Sequence, residues 1–234
     1  KYDNIVFYQF IFKNYSEKTA LLSSLILIFS VEWFRSANEA RVDMILSATM
    51  LIGLIYLFYW YQRNLKGFPV VSILALSAGF LTKGPVALVL PLLIMMIFLF
   101  REGTKFSKII VALLKFSIPT VVISSLWYIA AYLQEGEAFI NTVLLENLKR
   151  FEGTMGIGED PHTHTIWYLY GTLLLGFIPT TFVILSDLNN LIKKSFVSAK
   201  EFNFPKIRQF LSSLSSTTKF QLISILCFLI FFSI

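Results

Sequence analysis

The chain has 234 residues, 56% of them hydrophobic and only 15% charged, with a mean hydropathy of +0.70 and 24 Phe, 10 Tyr and 4 Trp. Average globular chains carry about 25% charged residues, so this composition excludes a disordered chain and points away from a soluble domain towards a multi-pass membrane protein. The net charge of +6 is spread along the edges of apolar runs rather than gathered in a patch, which speaks for membrane topology and against nucleic acid, and the single cysteine, Cys227, permits neither a disulfide framework nor a cysteine-based metal site.

A bilayer core of about 30 Å takes about 20 helical residues. In chain order the apolar segments are Ile5–Phe12, expected as the tail of a helix cut at its start, then Thr19–Phe34, Met44–Gln62, Pro69–Thr82, Pro85–Phe100, Ile109–Leu133, Ile166–Leu188 and Phe220 onward, the last still too short to span. No charged start leading into an h-region and a small-residue cleavage site is read within this sequence, so no secretory signal is expected among these segments. A single helix from Pro69 to Phe100 would run to about 48 Å at about 1.5 Å per residue, and bases flank both of its ends, Arg63 and Lys66 before it and Arg101, Lys105 and Lys108 after it. Thr82-Lys83-Gly84-Pro85 supplies the break and makes a hairpin with Lys83 at its apex. Alternating outward from that hairpin puts Lys13, Lys18, the bases just named, Lys193, Lys194, Lys200, Lys206, Arg208 and Lys219 on the cytoplasmic side. Arg35, Arg41, Lys83, Lys149 and Arg150 fall outside together with most of the acids. The expected fold is all-α, a polytopic transmembrane helical bundle forming one domain over 1–234, cut at both ends from a longer protein, with a long extracytoplasmic loop at 134–165 and a basic cytoplasmic loop at 189–219.

Three outer features carry candidate chemistry. Glu32 to Asp43 leads into the helix at Met44; as one helix it would put Arg35, Glu39 and Asp43 on a single face at i, i+4 spacing, two carboxylates beside a base. The plainer reading is a pair of interfacial acids favouring a helix N-terminus. The loop Gln134–Thr165 is rich in glycine in its middle and holds both histidines, His162 and His164, beside Glu159 and Asp160. Histidine and carboxylate suit zinc or manganese, so His162 and His164 are the candidate metal ligands, against the plainer reading of a solvated polar loop. Lys83 is a cation at membrane depth, which is a site hypothesis by default, and its plainer role is snorkelling to headgroups. With Arg41 and Arg150 on the same side, it suits a phosphate carried on a lipid. The chain has no GxGxxG, Walker loop, CxxC or HExxH, which leaves soluble nucleotide chemistry unsupported.

These motifs in their order resemble the lipid-dependent glycosyltransferases of the GT-C superfold, specifically bacterial relatives of the protein O-mannosyltransferases and of the lipid A aminoarabinose transferase. The likeness rests on Ala40-Arg41-Val42-Asp43-Met44-Ile45-Leu46, Gly79-Phe80-Leu81-Thr82-Lys83-Gly84-Pro85, Leu126-Trp127-Tyr128-Ile129-Ala130, Glu146-Asn147-Leu148-Lys149-Arg150-Phe151, His162 ahead of Trp167-Tyr168, and Gly176-Phe177-Ile178-Pro179. It covers roughly Phe7 to Asp187. It implies Asp43 as the catalytic acidic residue, Lys83, Arg150 and His162 as ligands of the lipid phosphate, and Glu39, Arg41, Glu146, Asn147 and Tyr168 as support. The family's first acidic residue would lie upstream of Lys1, so the chain is similar to an enzyme without being a whole one.

The expectation is therefore an integral membrane glycosyltransferase of a bacterial inner membrane, its active site facing outward. Its donor would be a polyprenyl-phosphate-linked sugar and its acceptor a protein Ser/Thr or a glycolipid, with membrane lipids around it and a divalent metal as the one candidate cofactor. The alternative is a secondary transporter or lipid flippase with Lys83 lining the path, for which internal repeats are the usual sign and none is visible. A non-catalytic scaffold of envelope assembly is the third reading, favoured if Asp43, Lys83 and Arg150 lie far apart.

Overall fold

The computed structural model describes residues 2–38, 42–139, 141, 166–178, 181–182, 185–186 and 213–233. Among these the regular structure is helical: α1 (Tyr2–Asn14), α2 (Glu17–Phe29), α3 (Val31–Asn38), α4 (Val42–Gln62), α5 (Val70–Lys83), α6 (Val86–Arg101), α7 (Phe106–Glu135), α8 (Ile166–Gly176) and α9 (Ser216–Ser233). Three of them, α4, α7 and α9, are long and apolar enough to cross a membrane, and α5 and α6 are shorter apolar helices. Large apolar side chains stand exposed along α2, α7 and α9, Phe29, Leu133 and Ile230 among them. Water would penalise such a surface, whereas lipid does not.

Helix α5 lies at the centre, against α4, α6 and α7. Two glycines set its distance from α4. A Cβ on Gly53 would stand 2.6 Å from Leu76 Cδ2, and one on Gly79 would stand 2.7 Å from Thr49 Oγ1 and 3.1 Å from Ala87 Cβ, so only glycine admits this approach. Along α7, the buried Thr120 and Ser124 face the buried Ser77 of α5, small residues again allowing close contact. At one end of the bundle the rings of Phe58, Phe98 and Phe220 meet at centroid distances of 4.9 to 5.8 Å, tying α4, α6 and α9 together, with Phe10 of α1 edge-on to Phe58 at 5.8 Å.

Three expectations change. The span Thr19–Phe34 is two helices, because Ser30 is extended (φ −64°, ψ 125°) and its hydroxyl donates to the Gly176 carbonyl at 2.7 Å. Both described parts of the Glu32–Asp43 stretch are helical, and the residues that would join them, Glu39, Ala40 and Arg41, lie outside the described residues, and with them the single-helix reading. The helix read as Ile166–Leu188 stops at Gly176, with Phe177 and Ile178 in a turn ahead of Pro179, a residue that disfavours helix in front of it. The last helix begins at Ser216, four residues before its apolar run, and at 18 residues is long enough to span; the hydroxyl of Ser215 accepts from Thr218 N at 3.2 Å and caps it. Lys219 therefore belongs to a helix and not to the basic loop.

The described helix ends gather at two ends of the bundle. Asn14 at the end of α1 accepts from Gln62 at the end of α4 (3.1 Å) and from Thr217 at the start of α9 (3.2 Å). Glu102, just past α6, joins Tyr61 and Ser216 at the same end. The start of α4 and the end of α5 share the opposite end, where Asp43 meets Lys83.

Candidate functional site

The register of α4 against α5 builds this opposite end. Gly53 meets Leu76, and four residues up α4 Thr49 meets Gly79; one more turn of each helix brings Lys83 level with Ile45, within reach of Asp43 in the first turn of α4. Lys83 Nζ and Asp43 Oδ1 form an ion pair across the two helices. Each charge also suits its own helix, the carboxylate at the positive N-terminal end of α4 and the ammonium at the negative C-terminal end of α5. Gly84 stops α5 by taking a positive φ of 75°, which a side chain would resist, and Thr82 Oγ1 donates to the Gly79 carbonyl at 2.6 Å. The pair is open to its surroundings, with 41% of the Lys83 side chain and 58% of that of Asp43 accessible.

A third motif reaches the same place. Tyr128 of α7 packs edge-on to Phe80, one turn before Lys83, at 6.4 Å, and beside it Trp127 and Phe139 pack at 6.0 Å. Gly176 lies against Glu32, close enough that a Cβ on it would come within 2.9 Å of Glu32 Cβ. Glu32 itself accepts from Arg35 and from Ser36, both at 3.1 Å. Asp43, Lys83 and Tyr128 thus come from three separate stretches of chain and gather at one end of the bundle. Of the other expected site residues, Glu39, Arg41, Glu146, Asn147, Arg150, His162 and His164 lie outside the described residues, as do most of the loops at 134–165 and 189–219. Tyr168 lies in α8, its side chain outside the description. Among the described residues no group of three or more His, Cys, Asp or Glu is placed to hold a metal.

Sequence reasoning passed over a second charged cluster, at the far end. Glu102 accepts from Ser216 Oγ (2.6 Å), Tyr61 Oη (2.7 Å) and Lys219 Nζ (3.1 Å), with only 10% of its side chain accessible. Burial on its own pushes the Glu102 carboxyl up, but the three hydrogen bonds and the Lys219 charge outweigh it and hold the pKa below the ordinary carboxylate value. A lone acid between Arg101 and the bases that follow was the available signal, masked by the net positive charge of the loop.

Comparison with known proteins adds a distant relative. The chain is 28% identical over 199 residues to an uncharacterized protein of Aquifex aeolicus (strain VF5), a match covering 82% of this chain and 36% of that protein. The chain thus spans little more than a third of that relative's length. No family model matches the chain, and no solved structure matches it.

Proposed function

We propose that the chain is the membrane core of a lipid-dependent glycosyltransferase of the GT-C type, moving a sugar from a polyprenyl-phosphate donor to a protein Ser/Thr or a glycolipid on the outer face of a bacterial inner membrane. The observation that carries the reading is the ion pair of Asp43 with Lys83, which joins two of the motifs behind the resemblance through close glycine packing. The orientation rests on loop charge: the end that gathers Lys13, Arg63, Lys66, Arg101 and Lys105 is the cytoplasmic one, which leaves Asp43 and Lys83 outside.

The chemistry needs a base on the acceptor and a cation on the leaving group. The acceptor hydroxyl attacks the anomeric carbon, the bond from that carbon to the phosphate oxygen breaks, the proton passes to the Asp43 carboxylate, and polyprenyl phosphate departs with its charge held by Lys83. In the resting pair the Lys83 ammonium is engaged with the Asp43 carboxylate. A donor phosphate that draws the ammonium away frees the carboxylate at the moment the sugar arrives, so donor binding and base activation are one event. Arg150 and His162, by the resemblance, add to the phosphate grip, with Glu39, Arg41, Glu146, Asn147 and Tyr168 around them.

The test uses the full-length protein in proteoliposomes with a polyprenyl-phosphate sugar and an acceptor. Asp43→Asn is expected to lower kcat on the order of a hundredfold or more, the usual contribution of a positioned base. Lys83→Ala is expected to raise the KM for donor as well as lower kcat, with insertion unchanged in both. Full turnover in both variants overturns the proposal, and solute uptake without sugar transfer replaces it with a transporter.

A further inference from the structure

The cytoplasmic-side end of the bundle, by the orientation argued above, carries two adjoining clefts with Asn64, Leu65 and Lys108 in common. One, of about 440 Å³, is polar, between the turn after α4 and the turn before α7, with Thr104 and Lys105 in its wall. The other, of about 270 Å³, continues from it along α7 over Val111 and Ala112 to Lys115, with Trp60 facing them. Asn64 and Leu65 both have positive φ (56° and 59°), which folds the turn after α4 tightly back beside this groove. A polar mouth at the end of the helices therefore opens into an apolar channel running towards the middle of the bundle.

Among the described residues no carboxylate is free to answer the charge in this groove. Lys105 and Lys108 stand exposed at its mouth and Lys115 is half-buried further along, nine residues into α7, its Nζ 5.8 Å from the Phe68 ring centroid. None of the three forms an ion pair with a described residue. Glu102 also lines the mouth, yet it is taken up by Tyr61, Ser216 and Lys219 and is balanced by Lys219. Lys105 and Lys108 at a polar mouth, with an apolar stretch of groove beyond them, match a phosphate on an acyl chain, and the anion that fits both parts is a lipid.

We infer that this groove is a binding site for one anionic phospholipid, its phosphate held by Lys105 and Lys108 and an acyl chain laid over Val111 and Ala112 below Lys115. The site is at the other end of the molecule from Asp43 and Lys83 and does not depend on the glycosyltransferase reading. Its occupant would pin the α4–α5 turn to α7, and so fix the base of α5, on whose far end Lys83 is carried.

Native mass spectrometry of the purified full-length protein, titrated with phosphatidylglycerol in detergent, tests the assignment. One phosphatidylglycerol is expected to remain per chain, phosphatidylcholine is expected to be lost at the same collision energy, and inorganic phosphate is expected not to displace the lipid. Lys105→Gln with Lys108→Gln should weaken retention on the order of tenfold, whereas Lys66→Gln, a charge of the same end outside both clefts, should change it little. Val111→Trp fills the apolar part at a half-exposed position, so the fold is kept, and should expel the lipid with every lysine in place. Equal retention of phosphatidylcholine, displacement by inorganic phosphate, or a Lys66→Gln loss as large as that of the double variant would each overturn the site.

Discussion

Among the described residues, two ion pairs between distant parts of the chain stand at opposite ends of the bundle and are built on opposite principles. Lys219 and Glu102 are mostly buried (22% and 10% accessible), and Glu102 has two further hydrogen-bond donors around it. Lys83 and Asp43 are open (41% and 58%), carried on helices that pack closely through Gly53 and Gly79 while the charges themselves are accessible. A buried pair whose carboxylate oxygens both accept hydrogen bonds is a fastening, because breaking it leaves a charge in a poor medium. An open pair holds little energy and exchanges partners readily, as a site that must let a phosphate in requires. Under the proposed function one end is structural and the other chemical, and the ordering of mutational effects on stability is then the reverse of their ordering on activity.

The largest loss of stability is therefore expected at the far end. Glu102→Ala leaves the mostly buried Lys219 without its carboxylate and should cost about 3 kcal/mol in detergent unfolding, the lower range for removing one partner of a buried pair. The same carboxylate sets a pH dependence. Its folded pKa lies below the ordinary 4.5, so its contribution is present in full above that value and is lost as the pH falls through the lower, folded one. Unfolding midpoints measured downward from neutral pH should drop in that window, and Glu102→Gln should flatten that part of the profile. An unchanged profile would show that the cluster does not fasten α9.

Next comes the packing that carries the open pair. Gly53→Leu drives a side chain into Leu76, and overpacking of this kind costs about 1 to 3 kcal/mol. Its informative readout is the separation of the α4 and α5 ends: spin labels on cysteines placed at the exposed positions Ser47 and Ala78 should move apart, with Asp43 and Lys83 no longer within ion-pair distance. Transfer activity that survives such a displacement would detach the chemistry from the pair.

How much of this was legible in the chain depends on how local each cause is. The α4 span was read to within two residues, and the α5–α6 hairpin to within one at each end, because Pro69, Gly84 and Pro85 act on their own neighbours. The break at Ser30 was not legible, since an apolar run passes through it and the partner that holds its hydroxyl, the Gly176 carbonyl, is 146 residues away. The start of α9 was hidden for a related reason: Ser216, Thr217 and Lys219 look like loop until Ser215 caps the first turn and Glu102 answers the lysine. Asp43 and Lys83 were found separately, one by its place before an apolar run and one at a hairpin apex. Their meeting needed the helix register, and that register is written in Gly53 and Gly79, whose meaning appears only once Leu76 and Thr49 are seen against them.

The smallest expected effect on stability is the one that sharpens the contrast most. Asp43→Asn removes one partner of an exposed pair and should change unfolding by less than about 1 kcal/mol, and the double variant with Lys83→Gln should show a coupling that fades as salt is raised. The buried pair should keep its coupling over the same salt range, since burial shields it from the ions that screen the open one. If Asp43→Asn instead costs as much as Glu102→Ala, the open pair is itself a fastening. A lysine that firmly held does not leave its carboxylate for a passing phosphate, and the coupling of donor binding to base activation would have no physical basis.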